Sequence, residues 1–253
     1  MAGVMVEVKN LSKAFGSHVV LDDISFNINE NENFVVFGRS GTGKSVLLKC
    51  IVGLLVPDKG DIIVHGKSVI NLSLEEMNEV RKKMGFLFQG SALYDSMTVR
   101  ENLEFPLIRN FNFSASEREA KVKDVLEKVG LLQAIDKKPS ELSGGMKKRV
   151  ALARTIITQP ELILYDEPTT GLDPITTKEI SQLIVELQKD LNVTSIVVTH
   201  DLICAKIVAD RAIVLRDGKI CYEGDITGLE TADDLFLKNF FSGELVEADS
   251  GEK

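Results

Sequence analysis

The stretch Gly38-Arg39-Ser40-Gly41-Thr42-Gly43-Lys44-Ser45 decides how the rest of the chain is read. Ahead of it runs Asn33-Phe34-Val35-Val36-Phe37, short and rich in β-branched and aromatic residues. Behind it comes Val46-Leu47-Leu48-Lys49-Cys50-Ile51-Val52, apolar enough for a buried helix. Strand, glycine-rich loop and helix in that order give the pattern G-x-x-x-x-G-K-[ST] its physical meaning. The glycines let the backbone curl until several N–H groups converge on one concavity, and bulkier residues would block that approach. The helix N-terminus behind the loop adds partial positive charge, which favours a polyphosphate. Lys44 can reach β- and γ-phosphates, and Ser45 can offer its hydroxyl to Mg2+. The plainer reading, a chance loop of small residues, leaves both flanks unexplained.

The totals set bounds. The 253 residues are 44% hydrophobic and 27% charged, which suits a globular α/β domain with a substantial core. A net charge of −8 at pH 7 argues against nucleic acid as the main partner. No apolar run reaches the roughly 18 residues of a membrane span. Residues 1–7 lack the basic segment and long apolar run of a secretory signal. Cys50, Cys204 and Cys221 form no C-x-x-C pattern and read as reduced, buried small hydrophobes of a cytosolic protein.

Outward from the loop, residues 4–9 and 18–28 read as β-rich, with Asp22-Asp23 interrupting the second run as a turn would. Pro57-Asp58-Lys59-Gly60 reads as a turn before a strand at Ile62–Val64. Ser73-Leu74-Glu75-Glu76 is a capping box for a helix to about Lys83, and Met84–Phe88 is a strand ending at Gln89. Thr98-Val99-Arg100-Glu101 and Ser116-Glu117-Arg118-Glu119 read as two more capping boxes. Val122, Val125, Leu126 and Val129 then recur at helical spacing before Gly130. Residues of about 90–159 are therefore expected to form a helical insertion. The α/β alternation returns at Leu162–Tyr165, at a helix capped by Asp173-Pro174, and at Thr194–Thr199, a continuous apolar run suited to a parallel sheet covered on both faces. A hairpin around Asp217-Gly218, a last amphipathic helix at 231–242 and a frayed acidic tail at 243–253 complete the reading.

Two further constellations carry chemistry. Leu162-Ile163-Leu164-Tyr165-Asp166-Glu167 is an apolar strand ending in two acids. In phosphate-loop enzymes a carboxylate there holds Mg2+, which suits Asp166, and Glu167 can orient or deprotonate an attacking water. Leu142-Ser143-Gly144-Gly145-Met146 opens a long helix and makes a second anion-ready N-terminus. One nucleotide needs one phosphate cradle, so a second makes sense if it faces a nucleotide on another copy of the chain. Lys147-Lys148-Arg149 reads as a solvated helix face rather than a nucleic-acid patch, Arg154 as structural, and His18 and His65 as surface or turn residues.

Together these residues resemble the ATP-binding cassette (ABC) ATPases, from about Val6 to Gly224 and in the family's order. Gly38–Ser45 looks like Walker A, Leu162–Asp166 like Walker B and Glu167 like the catalytic carboxylate. Gln89 is similar to the Q-loop glutamine that touches Mg2+ and the attacking water. Ser143-Gly144-Gly145 resembles the signature that meets the γ-phosphate across a head-to-tail dimer, Thr170-Gly171-Leu172-Asp173 the D-loop, and His200 the switch histidine. Phe15 sits where the family stacks an aromatic on adenine, although alone it reads as core. Met146 in place of glutamine and Thr170-Gly171 in place of Ser-Ala are departures that remove no phosphate ligand.

The resemblance implies an α/β, RecA-like P-loop NTPase core at about 1–89 and 160–228, an N-terminal antiparallel β layer and the inserted helical subdomain, as one domain over 1–242. It also implies hydrolysis of ATP with Mg2+, using Lys44, Gln89, Glu167 and His200. Phe88-Gln89-Gly90-Ser91-Ala92-Leu93-Tyr94-Asp95-Ser96-Met97-Thr98-Val99 and the segment Ser143–Arg154 look most like the ATPases of Mla/Mce-type phospholipid transporters. That likeness implies a homodimer on the cytoplasmic face of an inner membrane, an integral membrane permease and an Mce-domain lipid-binding subunit. Leu93, Tyr94, Met97 and Phe105 would then line a groove for the permease, or else pack the helical lobe. Amino-acid or drug cargo is the alternative. A soluble ABC ATPase of ribosomes or DNA usually has two cassettes or long coiled-coil inserts, which are not found here. A small-molecule kinase would leave Ser143 and His200 without a task.

Overall fold

A computed structural model describes residues 3–234. Strands β1 (Val4–Phe15) and β2 (His18–Asn29) pair antiparallel, with Val6, Val8, Leu21, Phe26 and Ile28 turned inward. The sequence suggests a break at Asp22-Asp23, but the pair runs through it. An extra residue in β1 between Val8 and Leu11 is matched by one in β2 between Leu21 and Ile24, so the register recovers. Asn10 and Asp23, at φ 46° and 56°, absorb the two bulges, and Asn10 Nδ2 donates to Asp23 Oδ1 at 2.9 Å. Strand β3 (Asn33–Phe37) belongs to a second sheet, whereas β4 (Lys59–Val64) and β5 (Lys67–Ser68) complete the first in the order β2-β1-β4-β5.

The second sheet has six strands in the order β10-β9-β3-β8-β7-β6, adding β6 (Met84–Leu87), β7 (Leu162–Asp166), β8 (Thr194–Thr199), β9 (Arg211–Arg216) and β10 (Lys219–Gly224). β3, β6, β7, β8 and β9 run parallel, and β10 returns antiparallel through Asp217-Gly218, both at positive φ. Every residue of β3, β7 and β8 is buried, as their unbroken apolar runs require of strands covered on both faces.

Alternate residues divide between two cores. Phe34, Val36, Leu164 and Ile196 pack with the antiparallel sheet and helix α1 (Lys44–Ile51), near which α2 (Leu74–Lys82) also lies. Val35, Phe37, Ile163, Tyr165 and Val197 face the other way. That core takes in α3 (Val99–Asn110), α4 (Ala115–Lys128), α5 (Gly144–Ile156), α6 (Pro174–Leu191) and α7 (Leu202–Val208), with Leu103, Leu107, Val122, Leu126 and Val150 among its residues. The helices inserted between β6 and β7 thus share one continuous apolar cluster with the sheet, and α5 links the two.

Several local readings shift. The cap of α4 is Ser114, not Ser116: its Oγ accepts from the Glu117 amide, and Glu117 Oε2 accepts from the Ser114 amide at 2.7 Å. Both serines precede a glutamate by three residues, but Glu119 is engaged by Arg100 and Lys123 and does not close a box. Helix α7, capped by Asp201, is an unforeseen element of seven residues. Helix α8 (Ile226–Thr231) precedes the stretch where a last helix is expected, 231–242; residues 235–242 of that expectation and the tail 243–253 lie outside the described residues. Cys50 and Cys204 are buried, with thiols pushed up to about 11 and about 12 by burial, whereas Cys221 is exposed rather than buried.

The two serine positions make a direct test. Ser114→Ala is expected to lower stability by about 1 kcal/mol, and Ser116→Ala by less than about 0.5 kcal/mol. Urea unfolding of the two variants measures this, and the reverse order would restore Ser116 as the cap.

Candidate active site

The loops after β3, β6, β7 and β8 all leave the carboxyl ends of parallel strands, where α/β sheets bind their ligands. The loop after β3 is residues 38–43. Gly41 and Gly43 hold left-handed backbone, at φ 85° and 97°. A Cβ on Gly38 would fall 2.7 Å from the Leu215 carbonyl oxygen, and one on Gly43 would fall 2.8 Å from that of Val20, so both positions are too close to backbone for a side chain. Helix α1 has no side-chain cap. Every other α-helix among the described residues has one: Ser73, Thr98, Ser114, Ser143, Asp173, Asp201 and Asp225. The orphan amides at the start of α1 are open to an anion.

Lys44 is buried behind the loop, and its ammonium donates to the carbonyls of Gly38 at 2.8 Å and Arg39 at 3.0 Å. Burial pushes its pKa down, and Glu167 and Asp166 oppose that shift. Ser45 Oγ donates to Asp166 Oδ1 at 2.8 Å. The Asp166 carboxyl is held above its ordinary range by burial, partly offset by this hydrogen bond. A hydroxyl and a carboxylate here offer the hard oxygen donors that Mg2+ takes. Among the described residues no group of three or more His, Cys, Asp or Glu that could hold a metal gathers, so a magnesium ion would draw most of its other oxygens from water and phosphate.

Glu167 follows β7 at φ 51°, a conformation that costs a non-glycine residue roughly 1–3 kcal/mol. Its amide donates to the Val198 carbonyl at 2.9 Å, which aims the side chain back across the loop. One carboxylate oxygen lies 3.6 Å from Lys44 Nζ, and the other 2.8 Å from His200 Nδ1. Glu167 is 7% exposed, whereas the His200 side chain is 53% exposed. A carboxylate so placed between a cation and an imidazole can take a proton from a water entering from the His200 side.

The structure therefore brings Lys44, Ser45, Asp166, Glu167 and His200 into one network. Gln89 joins it through its backbone: its carbonyl accepts from Lys148 Nζ at 2.7 Å, and its side chain is exposed. Phe15 is 50% exposed, so it is not core, and Lys13 Nζ lies 5.5 Å from its ring centroid. Ser143 and Gly144 are exposed, and Ser143 Oγ caps its own helix at the Met146 amide. Gly145 packs toward Thr176 and Gly144 toward Leu172, which sets this turn beside the stretch Thr170–Asp173. No hydrogen bond among the described residues ties Ser143–Gly145 to the phosphate loop of the same chain.

Lys148 corrects the reading of Lys147-Lys148-Arg149 as a solvated face. It is 5% exposed and reaches beneath the site, where its ammonium also lies 3.4 Å from the Glu167 carbonyl. Lys148 precedes the buried Ala151 and Leu152 by three and four residues, a periodicity that would have placed it on the apolar face. Arg154 is structural, as expected: it donates to the carbonyls of Ser91 at 2.9 Å and Ala92 at 2.8 Å. Next to it, Phe86, Phe88, Tyr94, Phe105 and Arg154 line a cavity of about 470 Å3. Tyr94 and Phe105 pack with ring centroids 5.0 Å apart; Leu93 packs against the core instead, and Met97 does not line the cavity.

Comparison with known proteins agrees with this geometry. The family model for ABC transporters matches residues 21–170. The intermembrane phospholipid transport system ATP-binding protein MlaF of Haemophilus influenzae is 41% identical over 240 residues, which is 95% of this chain and 91% of that protein. The methionine import ATP-binding protein MetN of Clostridioides difficile is 38% identical over 235 residues, 93% of this chain and 71% of that one. Among solved structures, the dimeric ATP-binding cassette MJ0796 in a post-hydrolysis state bound to ADP and Pi superposes with a TM-score of 0.80 at 35% identity, covering 88% of this chain and 99% of that one. The expected α/β P-loop NTPase fold is borne out, and the chain belongs to the ABC transporter family as an ATP-binding, ATP-hydrolysing cassette.

Proposed function

We propose that this cassette powers phospholipid transport through a separate membrane permease, working as a head-to-tail pair of identical chains. The observation that carries the catalytic part is the link from the buried Lys44 and Glu167 to the exposed His200 at the mouth of the phosphate loop. In this reading the loop amides of Gly38, Arg39, Ser40, Gly41, Thr42 and Gly43, with Lys44, hold the β- and γ-phosphates, and the exposed Phe15 ring covers the adenine. Glu167 accepts a proton from water as its oxygen bonds to the γ-phosphorus; the bond to the β-phosphate oxygen breaks and leaves ADP and phosphate. His200 holds the Glu167 carboxylate and the γ-phosphate. Ser45, Asp166 and the Gln89 side chain would hold Mg2+, which when bound would neutralise developing phosphate charge.

Ser143, Gly144 and Gly145 of one copy would close on the γ-phosphate held by the other. The exposure of Ser143 and Gly144, without a bond to their own phosphate loop, supports this, as does the dimeric state of the solved relative. No helix of the described residues is long and apolar enough to cross a membrane, and passage is assigned to the permease. The aromatic cavity at Phe88, Tyr94 and Phe105 would receive a permease segment at the cytoplasmic face of an inner membrane. Likeness to MlaF, an intermembrane phospholipid transport ATP-binding protein, along 91% of its length supports phospholipid cargo, and an Mce-domain lipid-binding subunit is the further partner in this reading. The likeness to MetN keeps amino-acid cargo as the second reading.

Three outcomes test this. Glu167→Gln should bind ATP within about threefold of the parent while kcat falls by about 100-fold or more; an unchanged kcat contradicts the role. Asp166→Asn should melt at higher temperature than the parent at pH 7 without ligand. The raised Asp166 pKa means stability is full below its unfolded value and is lost as pH rises through the folded one. The gain should therefore shrink in acid, while Mg2+-dependent nucleotide binding weakens; a lower melting temperature contradicts the assignment. Purification from detergent-solubilised membranes, with mass spectrometry of bound subunits and lipids, should find a permease and phospholipid. An amino-acid permease in their place would favour the second reading.

A further inference from the structure

Lys148 belongs to none of the motifs that carry the proposed chemistry, yet two of them meet at its ammonium and a third opens its helix. It stands five residues after Ser143 on α5, and Nζ donates to the Gln89 carbonyl at 2.7 Å and to the Glu167 carbonyl at 3.4 Å. Six residues further along the same helix, Arg154 donates to the carbonyls of Ser91 and Ala92. Two cations of one helix thus hold four backbone carbonyls of the two loops that end β6 and β7.

Three of those four residues are under backbone strain. Glu167, Ser91 and Ala92 lie at φ 51°, 62° and 48°, a region that non-glycine residues keep only when their surroundings enforce it. Lys148 is buried, and a buried ammonium without acceptors would be costly. Its two carbonyl partners, and the nearby charges of Glu167 and Asp166, satisfy it. Such charge-assisted bonds are among the stronger means of fixing a loop. A solvated lysine at this position of α5 would do nothing of the kind.

We propose that Lys148 is a positioning residue for ATP hydrolysis, tying the start of α5 to the backbones of Gln89 and Glu167 so that seating Ser143-Gly144-Gly145 on a partner's nucleotide aligns the Glu167 carboxylate of its own chain. This rests on the roles given above to Glu167 and Ser143–Gly145. It makes α5 the part that reports engagement of the dimer to the water-activating group. The connection runs through a rigid helix and two hydrogen bonds.

The test uses the full-length chain with Mg2+ and ATP, and compares Lys148→Met, Lys148→Gln and Glu167→Gln. Methionine keeps the stem and removes both donors and the buried charge; because this leaves Glu167 and Asp166 without that cation, glutamine is tested beside it. For Lys148→Met the expected result is a kcat about 10- to 100-fold lower, with KM and the affinity for a non-hydrolysable ATP analogue within about threefold of the parent. Lys148→Gln, a shorter donor without charge, should fall between. Amide exchange should quicken at 89–92 and 167–170 and nowhere else. A kcat within twofold of the parent while Glu167→Gln is inactive overturns this inference alone. Parallel loss of kcat and nucleotide affinity, or faster exchange throughout the chain, also overturns it by making Lys148 merely structural. Full activity of Glu167→Gln removes the site reading and this inference together. If Lys148→Met does not melt cooperatively, Lys148→Gln carries the same split and the same contrary outcomes.

Discussion

Charge burial governs this structure. Lys44, Lys148, Asp166 and Glu167 are each less than a tenth exposed, two cations and two acids at the carboxyl ends of one parallel sheet. None could be buried alone, because the desolvation cost of an isolated ion is far larger than any single contact returns. Each is tolerated because the others oppose it and because carbonyls and a hydroxyl fill the remaining hydrogen-bond positions. Removing a cation of such a set is costly, since it strands the acids it faces. The four groups therefore behave as a unit. An arriving triphosphate and its cation would meet charges already fixed in place, the condition under which they act most strongly on a reaction.

The fold supplies that unit from distant parts of the chain. Lys44 follows β3, Asp166 ends β7, Glu167 comes next at a left-handed residue, and Lys148 rises from α5 beneath them. Parallel pairing of β3 with β8 and of β8 with β7 puts the strand ends at one level, so His200 after β8 can reach Glu167. The uncapped start of α1 lies at the same edge. Of its seven capped counterparts, six have no proposed ligand, and they show that the chain does satisfy helix ends where none is wanted; α5, capped by Ser143, is the exception. Stability and affinity are thus set against each other at one place, as functional sites often require.

Much of this was legible in the residues because it is local. The phosphate loop, the acids after Tyr165, the capping boxes at Ser73 and Thr98 and the hairpin at Asp217-Gly218 each fit within a few positions, where spacing alone carries the physics. The misreadings came where one local pattern had two solutions or where distant groups decided. Ser114 and Ser116 both offered a cap, and Arg100, far along the chain, settled which glutamate was free. Asp22-Asp23 had the composition of a turn, but a compensating bulge at Asn10 on the neighbouring strand kept the pairing intact. Lys148 sat between two other basic residues and looked solvated. Only the arrival of the loops at Gln89 and Glu167 shows what its charge faces.

The account stands on a triphosphate held between two copies of the chain, and one cross-linking measurement addresses it most directly. Cysteines introduced by Ser40→Cys and Gly144→Cys, with Cys221→Ser and Glu167→Gln in the same chain, would place one thiol at each half of the proposed interface. With ATP and Mg2+, oxidation should give a disulfide between two chains, seen as a dimer on a non-reducing gel and absent without nucleotide. A disulfide formed within one chain, or no nucleotide-dependent dimer, would contradict the two-sided grip.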